Sequence, residues 1–515
     1  MPQLIRLMLT AILTMVLLTI QSSEFELLMN EPTLPVIVPK PPTWTEEELN
    51  KRQPNIIVVL SESFWDITRL PGLKFSRDPA PFFHSLQEQY THGTMLSPQF
   101  GGGTANVEFE VLTGHSMRFF REWAIVYDKY IHQPTASLSS ILASQGYRTT
   151  AISPVEHWYA NSSQVYKYLG FSRFISQEYF NPDDYVGPYL GDHSVARRII
   201  EESQRNEGPD FIYADTMENH YHYWPGKFKR NTITVQGNVS DTTIGIAETY
   251  AQGMSGADRM LQELVTYYNQ SKEPTIIVFF GDHLPSLEQY FVYEDTKYIT
   301  GEDDPEFLEK MYHVPVLVWN NYLPPEAKDE LHISPSFLSP YILHTAQLKG
   351  SDYTDYLYQL SQKMPIIPPE DHYEAMQIDK RLVDEYEARQ THIMEAERTA
   401  PPPPESEYIL GYGDPRIDKI SPDTVPVPVR GGAFGKTLLN ISGGRFGQGS
   451  TAFINGKPYE TQWQSEGTLV VSLPKESIAA PGSLDIQVKV LDSNKKVLGQ
   501  SRIVKVPVTD KPPGS

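Results

Sequence analysis

Four short stretches carry the residue types that could do chemistry. "NIIVVLSES" (55–63) ends an apolar run at Glu62, and "TIIVFFGDH" (275–283) ends another at Asp282 and His283. "DFIYADTMENHYHYWPG" (210–226) places His220 and His222 past a third, and "GGGTANVEFEVLTG" (101–114) offers Thr104 behind three glycines. Two carboxylates and an imidazole form an O/O/N donor set for a hard or borderline divalent cation such as Mn²⁺, Mg²⁺ or Zn²⁺, with Thr104 available as a fourth ligand. The chain has no cysteine, so any metal must be held by oxygen and imidazole. A cation beside a threonine oxygen lowers the hydroxyl pKa, as it does for bound water, and so prepares a nucleophile near neutral pH. The glycines fit that task. Glycine costs folding entropy unless the backbone must bend sharply or something must come close, and a helix start presents free N–H groups to an anion. The turn lacks both the GxGxxG spacing and the lysine of nucleotide-binding loops.

Each signal has a plainer reading when taken alone. "GDH" occurs twice, and at 191–193 it precedes the amphipathic "SVARRIIEESQ", where Asp192 reads as a helix N-cap rather than a ligand. His220 and His222 lie in an aromatic stretch, where packing or hydrogen bonding accounts for at least one of them. The joint placement at strand ends is what distinguishes the set.

The elements that must position these residues follow from the pattern. Apolar runs at 55–60, 149–153, 210–215, 275–280 and 314–319 alternate with amphipathic segments such as "TASLSSILASQGY" and "ADRMLQELVTYYNQ". That alternation predicts an α/β fold, a mostly parallel sheet flanked by helices. In such sheets the active site gathers beyond the carboxyl ends of the strands, where Glu62, Asp282, His283 and His220 all fall.

The chain has 515 residues, 40% of them apolar, and a formal net charge of −21. It is long enough for more than one domain, and its charge excludes a general nucleic-acid binder, which needs a basic stripe. Residues 1–22 read as a signal anchor or signal peptide. The apolar run from Leu7 to Ile20 is shorter than the roughly 20 residues of a spanning helix, and no clear cleavage site follows it. This places the remainder at the extracellular face of the cell membrane on a single anchor, or secreted. Residues 23–50 form a proline-rich spacer, 51–398 a catalytic domain, and 399–410 ("TAPPPPESEYIL") a second proline-rich linker. From 411 to 508 short strand patterns alternate with Gly, Asn and Asp turns, which predicts a β-sandwich.

Taken together, "NIIVVLSESFWD", "GGGTANVEFEVLTG", "MENHYHYWPG" and "FFGDHLP", in this order, resemble the lipoteichoic acid synthase and phosphoglycerol transferase family of the alkaline phosphatase/sulfatase superfamily. The resemblance covers roughly residues 50 to 370. It implies a sulfatase-like fold in which Glu62, Thr104, Asp282 and His283 bind one Mn²⁺ or Mg²⁺. It further implies that Thr104 attacks phosphatidylglycerol at the membrane surface, releases diacylglycerol and carries a glycerophospho group to a polyglycerolphosphate or glycolipid acceptor. His220 matches the family histidine that contacts the glycerophosphate. The segment "HWYANSSQVYKYLGF" brings Trp158 and Asn161 forward as substrate contacts, although Ser162 stands where the family usually has a phosphate-gripping arginine. Family synthases usually begin with several membrane helices, whereas this chain has at most one apolar segment. "ISP", "LNISGGRFG" and "FINGKPY" resemble an IPT/TIG immunoglobulin-like domain, a binding or spacing module. A hydrolase of the same superfamily, and an inactive accessory protein that binds teichoic acid, are the alternatives. Retention of all four metal-site residues favours the enzyme.

Overall fold

The computed structural model describes residues 38–50, 52–121, 124–205, 207–324, 328–399, 407–427 and 437–510. The expected anchor or signal (1–22), most of the first spacer and the four prolines at 401–404 lie outside the described residues. Among the described residues no helix is long and apolar enough to cross a membrane.

All five apolar runs form strands: Asn55–Ser61, Arg148–Ile152, Asp210–Asp215, Thr275–Gly281 and His313–Asn320. Every residue of Asn55–Ser61 and of Thr275–Gly281 is buried. Strands covered on both faces need no polar side, which is why they read as unbroken apolar runs. Side by side the sheet runs Glu330–Ile333, Thr91–Leu96, His313–Asn320, Thr275–Gly281, Asn55–Ser61, Asp210–Asp215, Arg148–Ile152, Arg173–Ile175 and Ile409–Leu410. His313–Asn320 is antiparallel to both neighbours and the other pairings are parallel. The expected mostly parallel sheet is therefore present.

The helices begin where their caps dictate. Ser137 accepts from the Ser140 N–H at 3.2 Å and opens Leu138–Ala143. Ser240 accepts from the Thr243 N–H at 3.2 Å and opens the 30-residue helix Asp241–Gln270, which buries Ile246, Tyr250, Met254, Leu261 and Leu264 along one side. A short helix, Pro81–Gln87, locks onto that long helix through Asp258, whose carboxylate accepts from the Phe83 N–H at 2.7 Å.

The short helix is held from its other side by charge. His84 lies 2.7 Å from Asp78 and 3.5 Å from Asp66. Burial works against a charge on the imidazole, but the two aspartates more than offset it and raise it to about 10. Because the folded value exceeds the unfolded 6.5, this stabilisation is complete below pH 6.5 and fades as pH rises through about 10. His84→Gln is expected to cost about 2 kcal/mol near neutral pH, the scale of hydrogen bonds to a charged group. Denaturant curves of the two proteins should converge above pH 10.

The C-terminal strands form two sheets. One contains Arg416–Ser421, Thr437–Gly444, Thr468–Leu473 and Thr461–Ser465. The other contains Val425–Pro426, Val504–Thr509, Gly482–Leu491, Thr451–Ile454 and Lys457–Tyr459, with Val497–Gln500 beside Gly482–Leu491. Leu439, Ile441 and Val471 from the first sheet share an apolar core with Ile454, Ile486 and Val488 from the second, so the two close as a β-sandwich. Several contacts fasten this sandwich to the larger body. Ile409–Leu410, in the stretch expected as linker, adds to the edge of the main sheet beside Arg173–Ile175. Arg205 pairs with Glu466 and lies 4.4 Å from the Tyr412 ring centre, and the Tyr412 hydroxyl accepts from Arg198 at 2.8 Å. Ser493 donates to Glu156 at 2.6 Å.

Candidate functional site

Strand register decides where the acids go. Ser61 pairs with Gly281 and Leu60 with Asp215, so Glu62 and Asp282 leave their strands at one level and Thr216 leaves the third strand one residue short of it. The Glu62 N–H donates to the Thr216 hydroxyl at 3.1 Å. Ser63, in a left-handed turn with φ 53°, links the two acids: its N–H donates to Asp282 at 2.8 Å and its hydroxyl to Glu62 at 2.7 Å. Gly281 permits this proximity, because a Cβ there would lie 2.0 Å from the Phe64 carbonyl oxygen, a backbone atom with little room to yield. Gly281→Ala is expected to cost about 3 kcal/mol by overpacking and to weaken cation binding. Unfolding curves and calorimetric Mn²⁺ titration would measure both.

Glu62, Asp282 and His283 are all buried, and each offers one ligand atom within 4.8 Å of the others. His283 Nδ1 sits 3.0 Å from the Leu284 carbonyl, which can only accept, so the ring proton belongs on Nδ1 and the Nε2 lone pair faces the acids. Nε2 lies 3.1 Å from Asp282 and 3.8 Å from Glu62. Asp282 Oδ2 and His283 Nε2 are buried without a hydrogen-bond partner in the protein. Orphaned buried atoms of this kind call for a ligand, and the donor set fits a divalent cation. Burial pushes the Asp282 carboxyl up to about 6, Glu62 adding to the rise while His283 and the Thr104 hydroxyl work against it. Burial disfavours charge on His283, but Asp282 and Glu62 more than offset it and raise the imidazole.

Thr104 is the first residue of the helix Thr104–Thr113. Its hydroxyl lies 3.3 Å from Glu62, which completes the expected foursome. Gly103 precedes it with φ 92°, a conformation that disfavours side chains, and no side chain caps the first turn. The Thr104 and Ala105 N–H groups are therefore left for an anion beside the hydroxyl, while the Asn106 N–H is taken by the Gly103 carbonyl at 2.9 Å. The loop is pinned to the other half of the site: the Gly101 N–H donates to the Leu284 carbonyl at 3.0 Å, and the Ser97 hydroxyl to the Asp282 carbonyl at 2.6 Å.

Behind this group lies a second layer of acid that the sequence reading missed. Glu108, one helical turn past Thr104, is pushed up to about 7 by burial, against the hydroxyls of Tyr166, Tyr127 and Tyr213. Asp215 is raised well above the usual carboxylate range, first by burial and then by the charge of Glu108. A cation held by Glu62, Asp282 and His283 would offset the field of this layer.

His220 follows the Asp210–Asp215 strand, with Nδ1 3.1 Å from the Tyr189 hydroxyl. Lys227, also missed, donates its ammonium to the His220 carbonyl at 2.5 Å. Burial lowers this lysine to about 8, while Glu62, Glu218 and Asp192 favour its charge. In the sequence it is one cation among several in "WPGKFKR", without a signal of its own. Trp158 and Asn161 are exposed, and among the described residues neither shares a hydrogen bond with Glu62, Thr104, Asp282 or His283. Trp158 donates to Glu156 at 2.5 Å, the same carboxylate oxygen that Ser493 of the sandwich reaches. The N-cap reading of Asp192 is corrected: Gly191 is the cap residue, and Asp192 is buried at the first helical position. There it exchanges hydrogen bonds with Glu218, its N–H donating at 2.9 Å and its carboxylate accepting at 3.3 Å. Burial of the Glu218 loop against the helix start, invisible in a local motif, is the reason.

The sulfatase family profile matches residues 54–348. A putative cyclic beta-1,2-glucan modification protein of Rhizobium meliloti is 38% identical over 313 residues, 60% of this chain and 48% of that protein. Lipoteichoic acid synthase of Staphylococcus aureus is 25% identical over 253 residues, 46% of this chain and 37% of that protein. The chain thus spans about half the length, or less, of these curated relatives. Among solved structures, the Streptococcus pyogenes phosphoglycerol transferase GacH in complex with sn-glycerol-1-phosphate shares the fold at TM-score 0.55 and 23% identity, covering 70% of this chain and 96% of that one. With more than half of its residues inside the family profile, the chain belongs to the sulfatase family of the alkaline phosphatase superfamily, with lipoteichoic acid synthases among its relatives.

Proposed function

We propose that this chain is an extracytoplasmic, metal-dependent phosphoglycerol transferase that takes glycerophosphate from phosphatidylglycerol and passes it to a hydroxyl acceptor through a phosphothreonine intermediate. The observation that carries this reading is the Thr104 hydroxyl at an uncapped helix start, 3.3 Å from Glu62 of a buried Glu/Asp/His group. Glu62, Asp282, His283 and Thr104 would hold Mn²⁺ or Mg²⁺, whose charge when bound lowers the hydroxyl pKa and offsets charge on the phosphoryl oxygens.

In the first half-reaction Thr104 Oγ1 bonds to phosphorus and the bond from phosphorus to the diacylglycerol oxygen breaks. The threonine proton ends on that leaving oxygen. In the second half an acceptor hydroxyl oxygen bonds to phosphorus, the bond to Oγ1 breaks, and the acceptor's proton returns to Thr104. The free N–H groups at the start of Thr104–Thr113 orient the phosphoryl oxygens, and His220, steadied by Tyr189 and Lys227, moves protons between entering and leaving oxygens. The acceptor is a polyglycerolphosphate or a glycolipid. A relative named for glucan modification supports a saccharide-bearing acceptor.

The test is purified protein with fluorescent phosphatidylglycerol and Mn²⁺. Cation-dependent release of diacylglycerol with glycerophosphate recovered on an acceptor supports the transferase. Glycerophosphate recovered only as the free compound makes the protein a hydrolase, and no release makes it a binding protein.

A further inference from the structure

Beside the proposed nucleophile lies a recess of about 320 Å³ lined by Gly101, Tyr221, Ser286, Glu288 and Gln289, within the size range of small-molecule sites. Each lining segment also carries a residue of the site: Gly101 stands three before Thr104, Ser286 three after His283, and Tyr221 directly after His220. A Cβ on Gly101 would lie 3.2 Å from that of Ser286, so the loop before Thr104 and the floor of the recess are one packed unit. The lining offers an aromatic ring that is 46% exposed, a hydroxyl, an amide and a carboxylate, and no cation. Ser286 Oγ is buried without a hydrogen-bond partner in the protein, and the buried Glu288 Oε1 has only the Tyr221 hydroxyl beside its carboxylate. Burial raises the Glu288 carboxyl, with His222 and the Tyr221 hydroxyl working against the rise. The backbone here is unusual as well. Leu287, Glu288, Gln289 and Tyr290 are all left-handed, with φ of 37°, 60°, 48° and 76°. Four side-chain-bearing residues in succession in that region are a strained arrangement, and such strain concentrates at ligand sites.

We infer that this recess is the acceptor subsite of the proposed transferase and that it takes a neutral sugar ring. The apolar face of a pyranose stacks on Tyr221, while its hydroxyls donate to Glu288 and meet Ser286 and Gln289. A polyglycerolphosphate acceptor instead brings phosphates towards Glu288 with no lining cation to receive them, and an unpaired like charge rejects a ligand. The identity of the recess as an acceptor site rests on the transferase reading, whereas its preference for a neutral saccharide rests on the lining alone.

Calorimetric titration with a neutral β-linked gluco-oligosaccharide, and separately with a soluble glycerophosphate oligomer, tests this. The saccharide is expected to bind, Tyr221→Ala to weaken it at least tenfold, Tyr221→Phe to keep it within threefold, and Glu288→Gln to weaken it while admitting the glycerophosphate oligomer. Circular dichroism identifies any variant that fails to fold. Equal saccharide affinity in the wild type and a folded Tyr221→Ala protein overturns the subsite, as does preferential binding of the glycerophosphate oligomer by the wild type. Saccharide binding that depends on Tyr221 in a protein that releases no diacylglycerol overturns the transferase reading and leaves the saccharide site standing. Release of diacylglycerol without Tyr221-dependent binding does the reverse.

Discussion

Thr104→Ala is expected to end diacylglycerol release, with a fall of about 10⁴-fold or more, the scale seen when a covalent nucleophile is removed. The loss should be chemical, because alanine favours the helix it begins and Glu62, Asp282 and His283 keep their places. Intact-protein mass spectrometry after brief exposure to donor lipid gives the sharper readout. The wild type should carry a glycerophosphate adduct that maps to the peptide containing Thr104, and the alanine variant should carry none. Thr104→Ser keeps an oxygen at the helix start and should recover part of the rate. An adduct on another residue, or release that survives in Thr104→Ala, would sink the assignment of the nucleophile.

The second large effect concerns the cation. Without it, three buried groups face one another, Asp282 Oδ2 and His283 Nε2 lying 3.1 Å apart with no hydrogen bond to either, and Glu108 and Asp215 deepen the negative field behind them. Mn²⁺ at about 100 times its Kd should stabilise the chelator-treated protein by about 2.7 kcal/mol, a rise in Tm of about 4 °C for a domain of this size. Asp282→Asn removes one anionic ligand and should abolish both the shift and the lipid cleavage. Differential scanning calorimetry with and without Mn²⁺ decides the point. A shift of equal size in Asp282→Asn would place the cation elsewhere, and no shift in the wild type would remove it.

Much of this arrangement was legible in the sequence, for a physical reason. Strands covered on both faces must be apolar throughout, so Asn55–Ser61 and Thr275–Gly281 stood out, and residues at their carboxyl ends fall at one edge of the sheet. The glycines before Thr104 were visible because only a turn that rejects side chains needs them. The short or half-exposed strands towards the two margins of the sheet were not legible. Arg173–Ile175 and Ile409–Leu410 are too brief to show a period, and Thr91–Leu96 is only partly buried. The reversed direction of His313–Asn320 left no mark either, since an apolar run reads alike in both senses. Within the site, Ser63, Glu108 and Asp215 acquire their partners from segments distant in the chain, and Lys227, hydrogen-bonded to nearby His220, feels the charges of distant Glu62 and Asp192, none of which a local pattern encodes. The left-handed run at 287–290 contains no glycine to announce it.

Ile409–Leu410 lies on the far side of the proline-rich stretch from the helix Lys380–Thr399, yet it is laid into the main sheet as its last strand. That strand, with the Arg205 and Ser493 contacts, means that the peptide link between the two portions is not what keeps them together. A protease that nicked the prolines would yield two fragments that still travel as one particle through a sizing column and part only in denaturant. The sandwich behaves as a fixed abutment beside Glu156 and Trp158, and not as a tethered passenger.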